Sequence, residues 1–181
     1  MTDSRTAAPP REAVSGQRPR VVIVGAGFAG LSAARALARA PVELTVIDRH
    51  NYHLFQPLLY QVATAALTPA EIAEPIRGVL RDQDNARVFM DEVTGIDTEA
   101  RCVHTRSGAR IPYDTLVLAT GARHSYFGNE HWAAHAPGLK TIDDAFHLRQ
   151  RILSAFEKAE MAEEPEDRAA LLTFLIVGGG P

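Results

Sequence analysis

The sequence predicts an α/β fold with a parallel sheet, and three observations support this prediction. The apolar run Val21–Val24 passes directly into a glycine loop at residues 25–30, and an alanine-rich helical pattern follows. A second apolar strand, Glu43–Ile47, closes on Asp48 and completes a βαβ unit of about 30 residues. After a turn-rich stretch, Thr115–Ala119 is continuously apolar, as expected for a buried strand of a parallel sheet.

Composition restricts the function classes. The chain has 181 residues with 46% apolar and 23% charged residues, as in an ordinary globular domain. Its net charge of −3 gives no support for nucleic-acid binding, which needs a basic face. Cys102 is the one cysteine, so neither an internal disulfide nor a Cys-x-x-Cys redox pair can form.

Neither a membrane span nor a secretory signal is predicted. No stretch reaches the roughly 18 apolar residues that a spanning helix needs. The first residues contain arginines and prolines without an apolar core, unlike a signal peptide. We interpret residues 1–19 as a disordered tail.

Periodicity and turn residues place the remaining elements. Residues 49–60 have no clean period and predict a loop leading into a short helix, and residues 163–168 predict a charged linker. The predicted helices cover residues 31–39, 70–74, 76–80 and 143–161. The further predicted strands cover residues 87–90 (continuing through Val93 toward Ile96), 101–105, 110–113 and 172–177. The turn at residues 106–109 makes the region before Thr115 an antiparallel β-meander.

The glycine loop has the spacing of a pyrophosphate site. A helix N-terminus offers unpaired N–H groups and a partial positive charge to an anion. Gly25 permits the tight turn, Gly27 lacks the side chain that would block the phosphates, and Gly30 lets the helix lie close to the strand. The alternative is a glycine turn that serves only packing.

Asp48 stands 23 positions after Gly25 (48 − 25). A carboxylate at the end of the second strand accepts hydrogen bonds from ribose hydroxyls and repels a 2′-phosphate, so the first nucleotide should not be NADP. The loop alone does not separate NAD from FAD. The meander favours an FAD domain, and the strand end Ala119-Thr120-Gly121 provides small residues beside the cofactor. A solvated strand end is the alternative reading of Asp48.

A second strand-to-glycine junction closes the sequence. Phe174–Val177 runs into Gly178-Gly179-Gly180-Pro181, which predicts the start of a second dinucleotide-binding fold. We therefore interpret residues 20–170 as a Rossmann-like FAD-binding domain with a connecting helix at 143–161. Residues 171–181 would be the first strand and partial glycine loop of a truncated second domain.

These features together resemble a known family. The first glycine loop, the Ile47-Asp48 strand end and the segment His53–Ala63 (HLFQPLLYQVA) are similar to type II NADH dehydrogenases, the non-proton-pumping NADH:quinone oxidoreductases. The part from Phe55 to Ala63 is the more specific match. The closing residues 176–181 resemble the start of the family's NADH-binding loop.

The resemblance implies an FAD-dependent oxidoreductase that passes a hydride from NADH to FAD and electrons to a membrane quinone. It implies a peripheral protein on the cytoplasmic face of the plasma membrane, and it leaves a homodimer open. It assigns no catalytic side chain. The residues that it assigns to FAD are Gly25, Ala26, Gly27, Phe28, Ala29, Gly30, Asp48, Arg49, Gln56, Pro57, Leu58, Val93, Ala119, Thr120 and Gly121. The residues that it assigns to NADH are Gly178 and Gly180.

Other readings are weighed against this one. His124, His131 and His135 share one loop but have no acidic or cysteine partner at ligand spacing, so we predict no metal site. A sulfide:quinone or ferredoxin reductase-like flavoprotein and a truncated, non-enzymatic FAD-binding module stay open as alternatives. Because most of the NADH domain would follow Pro181, we expect little turnover from the chain alone.

Overall fold

The computed structural model describes residues 16–178. The α-helices of this range are α1 (Phe28–Ala36), α2 (Leu59–Ala63), α3 (Ile76–Val79), α4 (Ile142–Met161) and α5 (Pro165–Leu171). Its strands are β1 (Arg20–Val24), β2 (Glu43–Asp48), β3 (Tyr52–Leu54), β4 (Ala73–Pro75), β5 (Ala86–Met90), β6 (Val93–Asp97), β7 (Cys102–Thr105), β8 (Arg110–Pro112) and β9 (Thr115–Leu118). Short 3-10 helices cover Gln56–Leu58, Pro69–Glu71 and Glu130–Ala134.

The described chain forms two compact units. The first unit contains residues 16–51 and 80–120, and the second contains residues 52–79 and 121–178. Each unit is described by itself below.

The first unit is built on a parallel sheet in the order β5-β2-β1-β9. Residues Val21–Val24 of β1 are all buried, as expected for a strand with both faces covered. Val22 and Val24 pack in one core cluster with Ile47, Val103 and Tyr113. The predicted α/β fold with a parallel sheet is therefore confirmed.

The antiparallel β-meander is confirmed as well. Strands β6, β7 and β8 form a separate three-stranded antiparallel sheet. Val103 of β7, fully buried, carries the meander into the same core as β1 and β2. Cys102 is also buried.

Helix α1 begins at Phe28 and ends at Ala36, whereas the sequence predicted residues 31–39. The glycine loop itself turns into helix, so the start lies three residues earlier. At the other end, the Asn85 side chain donates to the carbonyls of Leu37 (3.0 Å) and Ala40 (3.2 Å). In a continuing helix the Leu37 carbonyl would accept from residue 41, but Pro41 has no N–H. Asn85 therefore supplies donors to carbonyls at the helix end.

The predicted continuation of the third strand through Val93 is wrong. The chain leaves β5 at Met90 and enters β6, which belongs to a different sheet. Between them, Asp91 accepts hydrogen bonds from the hydroxyl of Ser107 (2.5 Å) and the N–H of Glu92 (2.8 Å). Arg106 N–H also donates to the Glu92 carbonyl (2.8 Å). These contacts redirect the chain from the parallel sheet to the meander.

The second unit is mainly helical. Leu59, Val62, Ala63, Ile72 and Ala145 form its core cluster, in which α2 packs against α4. Strands β3 and β4 pair antiparallel, so the predicted helix at 70–74 is wrong beyond the 3-10 helix Pro69–Glu71. That turn begins at Thr68 with a capping box, and Glu71 completes it.

Helix α4 follows its prediction closely. Thr141 caps it by accepting from the Asp144 N–H (3.1 Å), and the Asp144 carboxylate accepts from the Thr141 N–H (2.9 Å). This reciprocal pair is the capping box that starts many helices. Three of its large apolar side chains, Phe146, Leu153 and Phe156, are about half exposed.

Two predictions near the C-terminus are wrong. Residues 165–168, predicted as part of a charged linker at 163–168, belong to α5 (Pro165–Leu171), with Pro165 in its first turn. The predicted strand 172–177 is not formed, and Leu175, Ile176 and Val177 are more than 80% exposed. A strand needs a neighbour to take its backbone hydrogen bonds, and no described strand pairs with these residues.

Within residues 16–178, no helix combines the length and the apolar character needed to cross a membrane.

Asp91 supplies a test of the link between β5 and the meander. Hydrogen bonds from Ser107 and Thr105, led by Ser107, lower the pKa of Asp91 to about 2. A lowered pKa in the folded state stabilises the fold above the unfolded pKa of about 4, and this contribution is lost as pH falls toward about 2. Asp91→Asn should therefore lower the free energy of unfolding at neutral pH. This deficit relative to the wild type should shrink as the pH falls from about 4 to about 2.

Denaturant unfolding at several pH values measures this deficit. Asp82→Asn is the control, because the Asp82 side chain is 91% exposed and pairs only loosely with Arg81 at 3.5 Å. A deficit of Asp91→Asn that stays constant down to pH 2 would contradict the assignment.

Candidate dinucleotide-binding site

The glycine loop lies at the carboxyl edge of the parallel sheet. Gly25 N–H donates to the Ile47 carbonyl of β2 (2.8 Å), and Ala119 N–H donates to the Val24 carbonyl of β1 (2.8 Å). The ends of β2, β1 and β9 therefore meet around the loop. In open parallel sheets, ligands bind at this edge.

Gly25 and Gly30 are required by packing. Gly25 has φ of +100°, and a Cβ atom there would overlap the backbone carbonyl of Ala119. A Cβ atom at Gly30 would overlap the carbonyl of Gly25. A glycine at each position therefore allows the end of β1 and the start of α1 to approach closely. These are the packing roles expected from the sequence.

Gly27 is different from these two glycines. It has extended backbone with φ of −72°, and no atom lies within 4 Å of the place that a Cβ would occupy. Its carbonyl accepts from the Leu31 N–H (3.0 Å) and so starts α1. Packing does not explain a glycine here, whereas close approach of a ligand to the backbone does.

The N-terminus of α1 has no side-chain cap. Its first turn contains no acidic residue, and Phe28 and Ala29 are exposed. The partial positive charge of the helix end is therefore not neutralised by a carboxylate within the first turn. This arrangement suits an anion such as a pyrophosphate.

Asp48 lies beside the loop at the end of β2. Its Oδ2 accepts from the Ala26 N–H (2.7 Å) and its Oδ1 from the His50 N–H (2.8 Å). The side chain is 18% exposed, and the His50 ring Nδ1 lies 3.7 Å from Oδ1. A carboxylate offers about four acceptor positions, so acceptor capacity remains for ribose hydroxyls.

The other predicted residues of the first unit lie at or beside the same edge. Arg49 and Thr120 are exposed, and Ala119 is half-buried. Val93 begins β6 and packs its side chain against the core cluster of Val22, Val24 and Ile47. Its assignment to FAD stays a prediction.

The sequence analysis missed two apolar residues at this edge. Met90 pairs with Asp48 in the sheet and is 61% exposed, and Leu118 pairs with Val24 and is 62% exposed. Both are the last residues of parallel strands, and Leu118 lies in the run Thr115–Ala119 that was predicted to be buried. Their position at the last residue of a parallel strand was the signal that could have identified them.

In the second unit, Gln56, Pro57 and Leu58 form one turn of 3-10 helix and are half-buried. Leu58 packs against the core cluster of Leu59, Val62 and Ile72. Gly121 and Gly178 are exposed with φ of +72° and +93°. Gly180 lies outside the described residues.

The histidine-rich loop shows packing contacts. The His124 ring lies against Gly138, where a Cβ would collide with it, and makes an edge contact with the Tyr126 ring. Among residues 16–178, no group of three His, Cys, Asp or Glu side chains is placed to hold a metal ion.

A parallel sheet with a glycine turn at its carboxyl edge and an acidic residue on the next strand defines a dinucleotide-binding α/β fold. Residues 19–181 match the family model described as pyridine nucleotide-disulphide oxidoreductase. The chain belongs to this family.

Relatives confirm the resemblance stated from the sequence. The chain is 54% identical to the type II NADH:quinone oxidoreductase Ndh of Mycobacterium tuberculosis, over 97% of this chain and 37% of that protein. It is 34% identical to the external alternative NADH-ubiquinone oxidoreductase of Yarrowia lipolytica, over 89% of this chain and 30% of that protein. The chain thus spans about a third of the length of these relatives.

Solved structures share the fold. The sulfide:quinone oxidoreductase of Aquifex aeolicus aligns with a TM-score of 0.70 and 26% identity, over 77% of this chain and 32% of that one. NDH2 of Plasmodium falciparum in complex with NADH aligns with a TM-score of 0.71 and 24% identity, over 84% and 32%. At 24% identity, the similarity to NDH2 concerns the fold alone.

The contrast between Gly30 and Gly27 is testable by stability. Gly30→Ala should destabilise the protein by about 2 kcal/mol or more, because the new methyl group overlaps backbone. Gly27→Ala should stay within about 1 kcal/mol of the wild type, because its backbone conformation suits alanine. Urea unfolding of both variants measures the difference, and equal losses would contradict the packing argument.

Proposed function

We propose that this chain provides the FAD-binding part of an NADH:quinone oxidoreductase. The observation that carries the proposal is the contrast within one loop. Gly25 and Gly30 are fixed by backbone packing, whereas Gly27 faces open space beside a helix N-terminus without a side-chain cap. Such a loop suits the pyrophosphate of a dinucleotide.

The residues present fit FAD. The loop from Gly25 to Gly30 would hold the pyrophosphate through backbone N–H groups. Asp48 would accept from the adenosine ribose with the acceptor capacity left by Ala26 and His50. The exposed side chains of Met90 and Leu118 would offer apolar surface to the adenine, and Arg49, Val93, Ala119 and Thr120 would complete this end.

The remaining assignments rest on the resemblance. We assign Gln56, Pro57, Leu58 and Gly121 to the flavin end, and Gly178 and Gly180 to NADH. FAD, when bound, accepts a hydride from NADH and passes the electrons to a quinone. The chain's own residues bind and orient the cofactor, and no side chain of this chain is assigned a proton or electron transfer.

The names of the relatives support NADH as the electron donor and a quinone as the electron acceptor. Those at 54% and 34% identity are named for NADH and for a quinone or ubiquinone. Quinones of this kind reside in lipid, so we propose that the protein works at the cytoplasmic surface of the plasma membrane.

A sulfide:quinone oxidoreductase is the second candidate, because one solved structure of that name shares the fold. Cys102 weighs against it for this chain, because the residue is only 6% exposed and its Sγ donates to the Val103 carbonyl (3.7 Å). A thiol that reacts with sulfide must be accessible.

Binding of FAD tests the proposal directly. Gly27→Ala should fold as the wild type does and weaken FAD binding by roughly tenfold or more, because the methyl group stands where the phosphates approach. Gly95→Ala is the matched control, since its Cβ would meet only the His104 side chain at 3.9 Å. Quenching of flavin fluorescence gives both affinities, and unchanged binding in Gly27→Ala would contradict the pyrophosphate assignment.

The electron donor distinguishes the two candidates. We expect an excess of NADH, added without oxygen to the FAD-loaded chain, to bleach the visible flavin absorbance slowly, in line with the little turnover expected of the chain alone, and a soluble quinone to restore it. Bleaching by sulfide in place of NADH would favour the second candidate. Bleaching by neither donor would contradict an oxidoreductase activity of this chain.

A further inference from the structure

We infer that Asp48 fixes the glycine loop before any nucleotide binds, as a positioning residue, in addition to recognising ribose. The inference rests on the proposed function in one respect, because it describes how the proposed FAD site is prepared. It concerns a contact inside the protein, so the ligand-free chain can test it separately.

The β1–β2 ladder provides the geometric argument. The backbone pairing of these parallel strands ends where Gly25 N–H donates to the Ile47 carbonyl (2.8 Å). The next N–H along the loop, that of Ala26, donates to the side chain of the next residue of β2, Asp48 (2.7 Å). A carboxylate thus continues the ladder by one residue, into the loop that follows the strand.

The second carboxylate oxygen fixes the orientation of the first. Oδ1 accepts from the N–H of His50, two residues further along the chain (2.8 Å), a local bond that aspartate forms readily in turns. With both oxygens engaged and only 18% of the side chain exposed, the carboxylate has little rotational freedom. The end of β2 therefore determines where Ala26 lies.

The position of Ala26 matters for its neighbours. Ala26 is 1% exposed and lies between Gly25, which packs on Ala119, and Gly27, which faces open space. Fixing the Ala26 N–H orients the peptide groups on both sides of it. A loop that is already ordered does not lose conformational freedom when a ligand binds. The resulting gain in binding free energy applies to the pyrophosphate as well as to the ribose.

The loop contact is tested in the ligand-free chain. In Asp48→Ala, the Ala26 amide should exchange with solvent hydrogen roughly tenfold faster, since a hydrogen bond to a charged acceptor is removed. The Gly25 amide, bound to the Ile47 carbonyl, is the internal control and should keep its protection. Exchange measured by NMR on isotope-labelled chain gives both rates, and unchanged exchange at Ala26 would overturn the inference.

Two cofactors separate positioning from ribose recognition. FAD and an FAD analogue whose adenosine ribose lacks both hydroxyl groups would be titrated against wild type and Asp48→Ala. Positioning predicts that the variant loses roughly tenfold affinity for the analogue and at least as much for FAD. A loss confined to FAD would overturn the inference and leave ribose recognition as the role of Asp48.

Two further variants serve as controls for these experiments. Asp82→Ala removes a carboxylate that is 91% exposed in the same unit and should change neither exchange nor affinity. Asp48→Asn keeps the side-chain shape but offers one acceptor oxygen to two N–H donors, so its effects should lie between those of wild type and Asp48→Ala. If wild type binds neither cofactor, the proposed function fails, while exchange at Ala26 still decides the loop contact.

Discussion

The close approach of backbone at Gly25, Gly30 and Ala119 is the constraint on which the first unit depends. A side chain at Gly25 would meet the carbonyl of Ala119, and one at Gly30 would meet the carbonyl of Gly25. The end of β1, the start of α1 and the end of β9 can therefore meet only where these two residues have no Cβ. This junction also brings the helix N-terminus to the carboxyl edge of the sheet, where a dinucleotide can reach it.

Strands β1 and β9 are also joined at their other end. The Asp114 carboxylate accepts from the Arg20 backbone N–H (2.8 Å) and from its guanidinium (3.2 Å), and Asp114 N–H donates to the Arg20 carbonyl (2.8 Å). The Arg20 side chain accordingly lowers the pKa of Asp114. Both side chains are 44% exposed, and such an ion pair contributes at most about 1 kcal/mol. The ion pair supports the register of β1 and β9, while the glycine contacts determine their geometry.

The sequence was informative where structure depends on neighbouring residues. Val21–Val24, the glycine spacing and the meander turn are local signals, and they predicted the sheet, the loop and the antiparallel sheet correctly. Three errors have distant causes. At the end of α1 the Leu37 carbonyl accepts from Asn85, 48 positions further along the chain, and the turn after Met90 depends on Ser107, 16 positions beyond Asp91. A strand at 172–177 needs a partner, which local periodicity does not reveal.

The candidate site was also predictable from the sequence only in part. The packing roles of Gly25 and Gly30 could be predicted because glycine spacing reports backbone approach. The bond between Asp48 and Ala26 could not, because these residues are 22 positions apart and meet only through the alignment of β1 with β2. The sequence suggested one partner for this carboxylate, the ribose, whereas the fold supplies two backbone donors first.

The glycine junction also explains why one fold is shared by proteins named for different electron partners. In the proposed function, the loop, α1 and Asp48 would bind the pyrophosphate and ribose, which every adenine dinucleotide carries, so they would not select a donor or an acceptor. Selection must depend on residues that face the reactive ring. In this chain the resemblance places those residues in the second unit, at Gln56–Leu58, where Leu58 is held by packing against Leu59 and Val62. In the proposed function, the choice of electron partner would therefore depend on a segment that packs on the core of the second unit.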